Sequence, residues 1–125
     1  MKMDIEKREI IRAIAEMAYV IAKSEHGISS EERLAFYKII DEEMGTDSWI
    51  AQSHFELLDE VTLPTLDKAY NAAMFELRKH KEHFTQDLKT KSLRVLQRVA
   101  DSFGGFGENE AFILDRFKKD IQHLS

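Results

Sequence analysis

Two acidic glycine loops are where this sequence places residues able to do chemistry. One carries Glu25, Gly27 and Glu32, the other Asp101, Gly104 and Glu110. Carboxylates beside glycine turns suggest a hard divalent cation, which takes six to eight oxygen ligands from a loop of defined geometry. An EF-hand requires Asp or Asn at alternate positions before its glycine and Glu six residues after it. With Gly27 in that role the alternate positions are Ala22, Ser24 and His26, and Arg33 falls at the closing position. With Gly104 they are Val99, Asp101 and Phe103, although Glu110 closes correctly. Neither loop is an EF-hand. A looser site remains, in which the loops approach and pool Glu25, Glu32, Asp101 and Glu110 around a divalent cation. Four carboxylates meeting there would repel unless a cation or a basic side chain sat among them. The competing role, and the expected one, is that Glu32 and Glu110 cap helices and favour the positive dipole end. No cofactor is then required.

Histidine offers the other ligand chemistry. Glu76, His80 and His83 follow one helical face, which would suit Zn²⁺ or Ni²⁺ if a further ligand arrived from elsewhere. His80 also falls on an apolar stripe, where a hydrogen-bonded, partly buried imidazole is the commoner outcome. His54 carries the same expectation. A di-iron bundle would need two Glu-x-x-His pairs, and the nearest match is Asp120-x-x-His123. There is no nucleophile elbow, phosphate-binding glycine loop or HExxH motif. With no cysteine, thiolate chemistry is excluded. Enzymatic activity is not expected.

The elements that must position these residues are helices. The chain has 125 residues, 33% charged and 43% hydrophobic, with one proline and five glycines, enough for one domain with a real core. Apolar residues recur at helical spacing almost throughout, and no stretch alternates as a strand would. A first helix, about Asp4 to Ser24, aligns Ile10, Ile14, Met17, Ala18 and Ile21. Ser29 and Glu32 have capping-box spacing and begin a second, which Gly45 stops. A third fits Ser48 to about Glu60, with Trp49, Ile50, His54, Leu57 and Leu58 near one side. Leu63-Pro64 restarts the chain into a fourth, along Leu66, Tyr70, Ala73, Leu77, His80 and Phe84. Thr85 caps a fifth, and Gly104-Gly105 ends it. A last helix runs from about Glu108 to Leu124. Trp49, Phe55, Phe75 and Phe112 are expected in the core or between helices. Should several face solvent together, they would mark a protein-binding surface.

Slid against itself by 78 residues, the chain matches Ile21 to Val99, Ala22 to Ala100, Gly27 to Gly105 and Glu32 to Glu110. Leu34 then meets Phe112, and Ile39 meets Phe117. Each unit is an apolar helix, a glycine loop, an acidic first turn and an amphipathic helix. The expected fold is all-α: a compact bundle of about six helices, spanning 1–125 as one domain, with a pseudo-repeated helical hairpin.

The segment from Ala22 through Glu25, Gly27, Ile28 and Ser29 to Glu32 resembles the hallmark of TerB-like proteins. That family includes tellurite-resistance proteins and the N-terminal domain of a co-chaperone. Its pattern reads roughly Ala-x-x-Asp-Gly-x-Ile-Ser-x-x-Glu and recurs late in the domain. Glu25 stands at the family Asp, Ile28 and Ser29 match directly, and the glycine has moved to Gly27. In the late copy Gly104 and Glu110 fit, while Phe103 replaces the family Asp. The resemblance implies a pseudo-twofold helical bundle without enzymatic activity, associated with metal ions and membrane-linked stress complexes.

Charge is uneven along the chain. Residues 1–60 hold seven bases against fourteen acids, and residues 78–98 hold seven bases against two acids. The basic stretch could attract an anionic partner. Solvated helix faces are the simpler expectation, and the acidic whole makes nucleic acid an unexpected partner. No apolar run approaches the roughly 18 residues of a membrane span, which leaves only peripheral attachment open. These observations describe a cytoplasmic, nonenzymatic interaction module with an unidentified protein partner. The alternative is a divalent-cation-binding domain using the four loop carboxylates.

Overall fold

Local sequence fixes where most of the helices begin and end. A computed structural model describes residues 5–24, 27–102 and 108–124. Its elements in order are α1 (Ile5–Lys23), α2 (Ser30–Met44), a 3-10 turn (Gly45–Asp47), α3 (Ser48–Leu57), a π turn (Leu58–Thr62), α4 (Leu66–Lys79), α5 (Gln86–Ser102) and α6 (Glu108–Gln122). Every regular element among the described residues is helical, as the periodicity indicates. No described helix is long and apolar enough to cross a membrane.

The expected capping box starts α2. The Ser29 backbone N–H donates to Glu32 Oε1 at 2.9 Å, and the Glu32 N–H donates to Ser29 Oγ at 3.1 Å. Two otherwise orphaned donors are thereby satisfied. Thr85 caps α5 by accepting from the Leu88 N–H at 3.2 Å. At the end of α2, Gly45 has φ +63°, a conformation that a Cβ would strain.

Three expectations shift. Pro64 does not itself open α4; Thr65 does, accepting from the Lys68 N–H at 3.2 Å. α3 does not continue regularly to Glu60 but widens into the π turn, which closes on Leu63 in the left-handed region at φ 45°. α4 stops at Lys79, so His80 and Phe84 lie beyond its end, in the turn that leads to α5.

α1 is the central post. It packs on α4, α3, α5 and α6, whereas α2 takes its main contacts from α5 and α3. Eleven of the thirteen residues from Ile10 to Ala22 are buried, so the helix is enclosed around most of its circumference. The aromatic centre joins three helices. Phe36 of α2 stacks on Phe55 of α3 at 4.3 Å between centroids, and Tyr19 of α1 meets Phe55 edge-on at 6.1 Å. Such ring pairs add to area burial and fix the relative placement of the helices that carry them.

Candidate functional site

The two residues that interrupt the burial of α1 between Ile10 and Ala22 are Arg12 and Glu16. With Glu9 one turn earlier they form a polar line along an otherwise enclosed helix. This line stays open because α3 and α4 both pack on α1 but scarcely touch each other. The result is a groove of about 250 Å³. Glu9, Arg12, Ala13 and Glu16 form its floor, His54 of α3 one wall, and Ala72, Phe75 and Glu76 of α4 the other. Phe75 is 61% exposed on that wall. Beyond His54, the neighbouring turn of α3 presents the exposed Leu57.

The polar groups meet in pairs. Arg12 Nη1 donates to Glu9 Oε1 at 3.0 Å within α1. His54 Nε2 lies 2.9 Å from Glu16 Oε1, so the carboxylate orients the imidazole across the α1–α3 contact. Glu76 Oε2 and His80 Nε2 stand 3.6 Å apart, both buried and neither hydrogen-bonded. Three carboxylates and one guanidinium therefore line the groove, which is negative while its imidazole is neutral. No Ser, Thr, Tyr or Lys is among its lining residues.

The four loop carboxylates are placed differently. Glu25 lies outside the described residues, as do Phe103 and Gly104. Glu32 serves in the capping box of α2. Asp101 is exposed and accepts from Gln97 Nε2 at 3.2 Å, one turn back on α5. Glu110 is buried in the first turn of α6, at 1% exposure. Among the described residues no group of three or more His, Asp or Glu is arranged to hold a metal ion. Of the proposed histidine face, His80 does approach Glu76, while His83 lies in an exposed turn.

The aromatic expectation divides. Phe55 is fully buried, but Trp49, Phe75 and Phe112 are 56%, 61% and 67% exposed. The reason is which face each helix turns inward. α3 buries Ile50, Ala51 and Phe55, and the π turn that follows buries Leu58, which puts Trp49 and Leu57 outside. α4 buries Ala69, Tyr70, Ala73, Met74 and Leu77, leaving Phe75 outside, and α6 buries Leu114, Phe117 and Ile121, leaving Phe112. The helical period is visible in sequence; the neighbour that covers one face is not.

Elsewhere, polar groups are used internally. In the basic stretch, Arg94 and Arg98 bind Glu43 at 3.0 and 3.3 Å, and Arg98 also binds Glu42. The Arg98 hydrogen bond holds the Glu42 carboxyl below its ordinary range, and the same bond raises the Arg98 pKa. A second hollow, of about 330 Å³ between α1, α4 and α6, contains Tyr70, Phe112 and Arg116. There the Tyr70 hydroxyl donates to Asp120 at 2.6 Å while Arg116 covers the ring at 4.0 Å. Burial, and next the Asp120 carboxylate, raise the Tyr70 pKa.

Sequence reasoning missed the groove. Its signal was present as Arg12 and Glu16, the two polar positions in the apolar run from Ile10 to Ala22. No family model matches the chain, and neither a curated protein nor a solved structure does.

Proposed function

We propose that this chain is a nonenzymatic helical interaction module that docks a protein segment in the α1–α3–α4 groove. One observation carries the reading: a cleft over the central helix whose wall is topped by a large exposed aromatic, Phe75. Large apolar side chains held beside a polar cleft are the usual anchors of protein contacts. The volume points the same way. About 250 Å³ lies below the roughly 300–1000 Å³ of pockets that enclose small molecules, and suits one or two side chains of a partner.

The TerB-like arrangement, with about six helices and a repeated hairpin, belongs to the same proposal. Burial at the paired positions supports it. Ile21 and Val99, Ala22 and Ala100, and Ile39 and Phe117 are all buried, whereas Leu34 and Phe112 are both exposed. On that resemblance the partner belongs to a tellurite or stress-response assembly.

Site-specific photo-crosslinking tests the reading. A crosslinker in place of Phe75 or Leu57 should give a discrete adduct in the source cell, and one in place of Asp115 on α6 should not. Adducts at all three positions, or at none, would sink it. Saturable binding of Ca²⁺, Mg²⁺, Mn²⁺ or Zn²⁺ that disappears in Glu32→Gln would instead favour the cation-binding alternative. At 100 times its dissociation constant, a bound cation adds about 2.7 kcal/mol of stability, readable as a shift in Tm.

A further inference from the structure

We infer that the occupant of the groove is a basic amphipathic segment, seating Lys or Arg over Glu16 and Glu76 and an apolar side chain against Phe75. This rests on the docking reading above and adds to it the chemistry of the partner. Charge complementarity identifies this occupant. The groove brings together Glu9, Glu16 and Glu76 from two helices, with Arg12 as its one basic group. Arg12 is engaged by Glu9 in the adjacent turn, so it does not answer the charge of the other two.

The direct contacts of those two carboxylates are with imidazoles. Glu16 meets His54, and Glu76 meets His80 across 3.6 Å, beyond hydrogen-bond reach. The Glu76 Oε2 atom is buried with no hydrogen-bond donor. That oxygen is closed to an incoming group, so a partner's charged donor reaches Glu76 through the rest of its side chain, which is 32% exposed. A guanidinium or ammonium brought to this place gains a carboxylate in a partly desolvated site, where attraction exceeds that at open surface.

The apolar half follows from Phe75. Its ring stands beside Glu76 on α4, with Ala72 one turn back. A cation entering between Glu16 and Glu76 therefore carries its aliphatic stem past an exposed ring, which favours Lys or Arg over a bare inorganic cation. Leu57 across the groove offers a second apolar contact, and neighbouring turns of one amphipathic segment supply both kinds of side chain. An acidic segment would meet the same carboxylates with repulsion.

Fluorescence anisotropy with two dye-labelled peptides tests this. One is an 18-residue amphipathic helix of Leu and Lys, and its twin replaces each Lys with Gln. The Leu/Lys peptide should bind, and raising NaCl from 50 to 300 mM should weaken it severalfold. The pair Glu16→Gln with Glu76→Gln should weaken it about tenfold, as should Phe75→Ser. A control pair, Asp87→Asn with Asp115→Asn, alters net charge equally but lies outside the groove, and should leave the affinity within about twofold.

Equal weakening by the control pair would overturn the proposal, because overall charge would then be the cause. Equal binding of the Leu/Gln peptide, lost in Phe75→Ser, would overturn the basic occupant and leave the groove as a docking site. Binding of neither peptide would overturn the basic occupant, and the crosslinking experiment separately decides whether the groove docks anything. Circular dichroism melts of each variant must match the parent, and His54→Gln supplies an independent groove variant should the double substitution unfold.

Discussion

The α2–α5 seam and the α1–α3–α4 groove are built from the same side chains and come out differently. On the seam, Glu42 and Glu43 of α2 face Arg94 and Arg98 of α5, and each charge meets an opposite one across the helix contact. In the groove, Glu9 and Arg12 pair within one helix, and the carboxylates of Glu16 and Glu76 meet imidazoles. The difference originates in packing. α2 and α5 lie directly against each other, whereas α3 and α4 both pack on α1 and scarcely touch each other. Charge on a closed contact is spent on the fold. Charge on an open one remains available to something else.

The widest way to break this contrast is Phe55→Ala. Phe55 stacks on Phe36 of α2 and meets Tyr19 of α1, so it ties the wall of the groove to the seam side of the bundle. Loss of that buried ring should cost about 3–5 kcal/mol in chemical denaturation. If instead the variant unfolds with the parent, α3 is held by something other than the aromatic centre.

A smaller effect separates the two regions directly. Glu43→Ala leaves Arg94 without its carboxylate and Arg98 with Glu42 alone, and should cost about 1 kcal/mol at low salt. In 1 M NaCl most of that loss should vanish. Glu9→Gln in the groove should change stability by less than about 0.5 kcal/mol. Equal losses at both positions would abolish the distinction between structural and available charge.

The least effect is expected on the acid limb of stability. Arg98 holds Glu42 below its ordinary value of 4.5, so the native state binds fewer protons than the unfolded chain near that pH. The contribution of the pair is present above pH 4.5 and is lost as pH falls through the lower native value. Arg98→Met should therefore lie closest to the parent at low pH and furthest from it near neutrality. A constant gap across pH 3 to 7 would mean that packing by the arginine stem, not its charge, joins α2 to α5.

Much of the seam's local structure and little of the groove could be read from sequence. The capping box of α2, the glycine at its end and the Thr85 cap of α5 are short-range features, complete within a few residues. So is the helical period. Exposure of Trp49, Phe75 and Phe112 depends instead on where a distant helix settles. In the run Ala72-Ala73-Met74-Phe75, every residue is acceptable to a core, and the structure takes Ala73 and Met74 inward. The polar line of α1 was legible as Arg12 and Glu16, but its meaning required knowing that α3 and α4 stand apart. Glycine and carboxylate together make the acidic loops conspicuous in the sequence, yet Glu32 is occupied by its own helix.

The enclosure of α1 also has a consequence for synthesis. This helix precedes in the chain every other helix that covers it, and α4, α5 and α6 follow only after some tens of residues. At about 5–20 residues per second, several seconds separate the emergence of α1 from that of α5. During that interval the apolar residues between Ile10 and Ala22 lack most of their native cover. A helix made before its cover is thus among the last to be finished, and a nascent chain paused before α4 should be a far better chaperone substrate than one paused after α5.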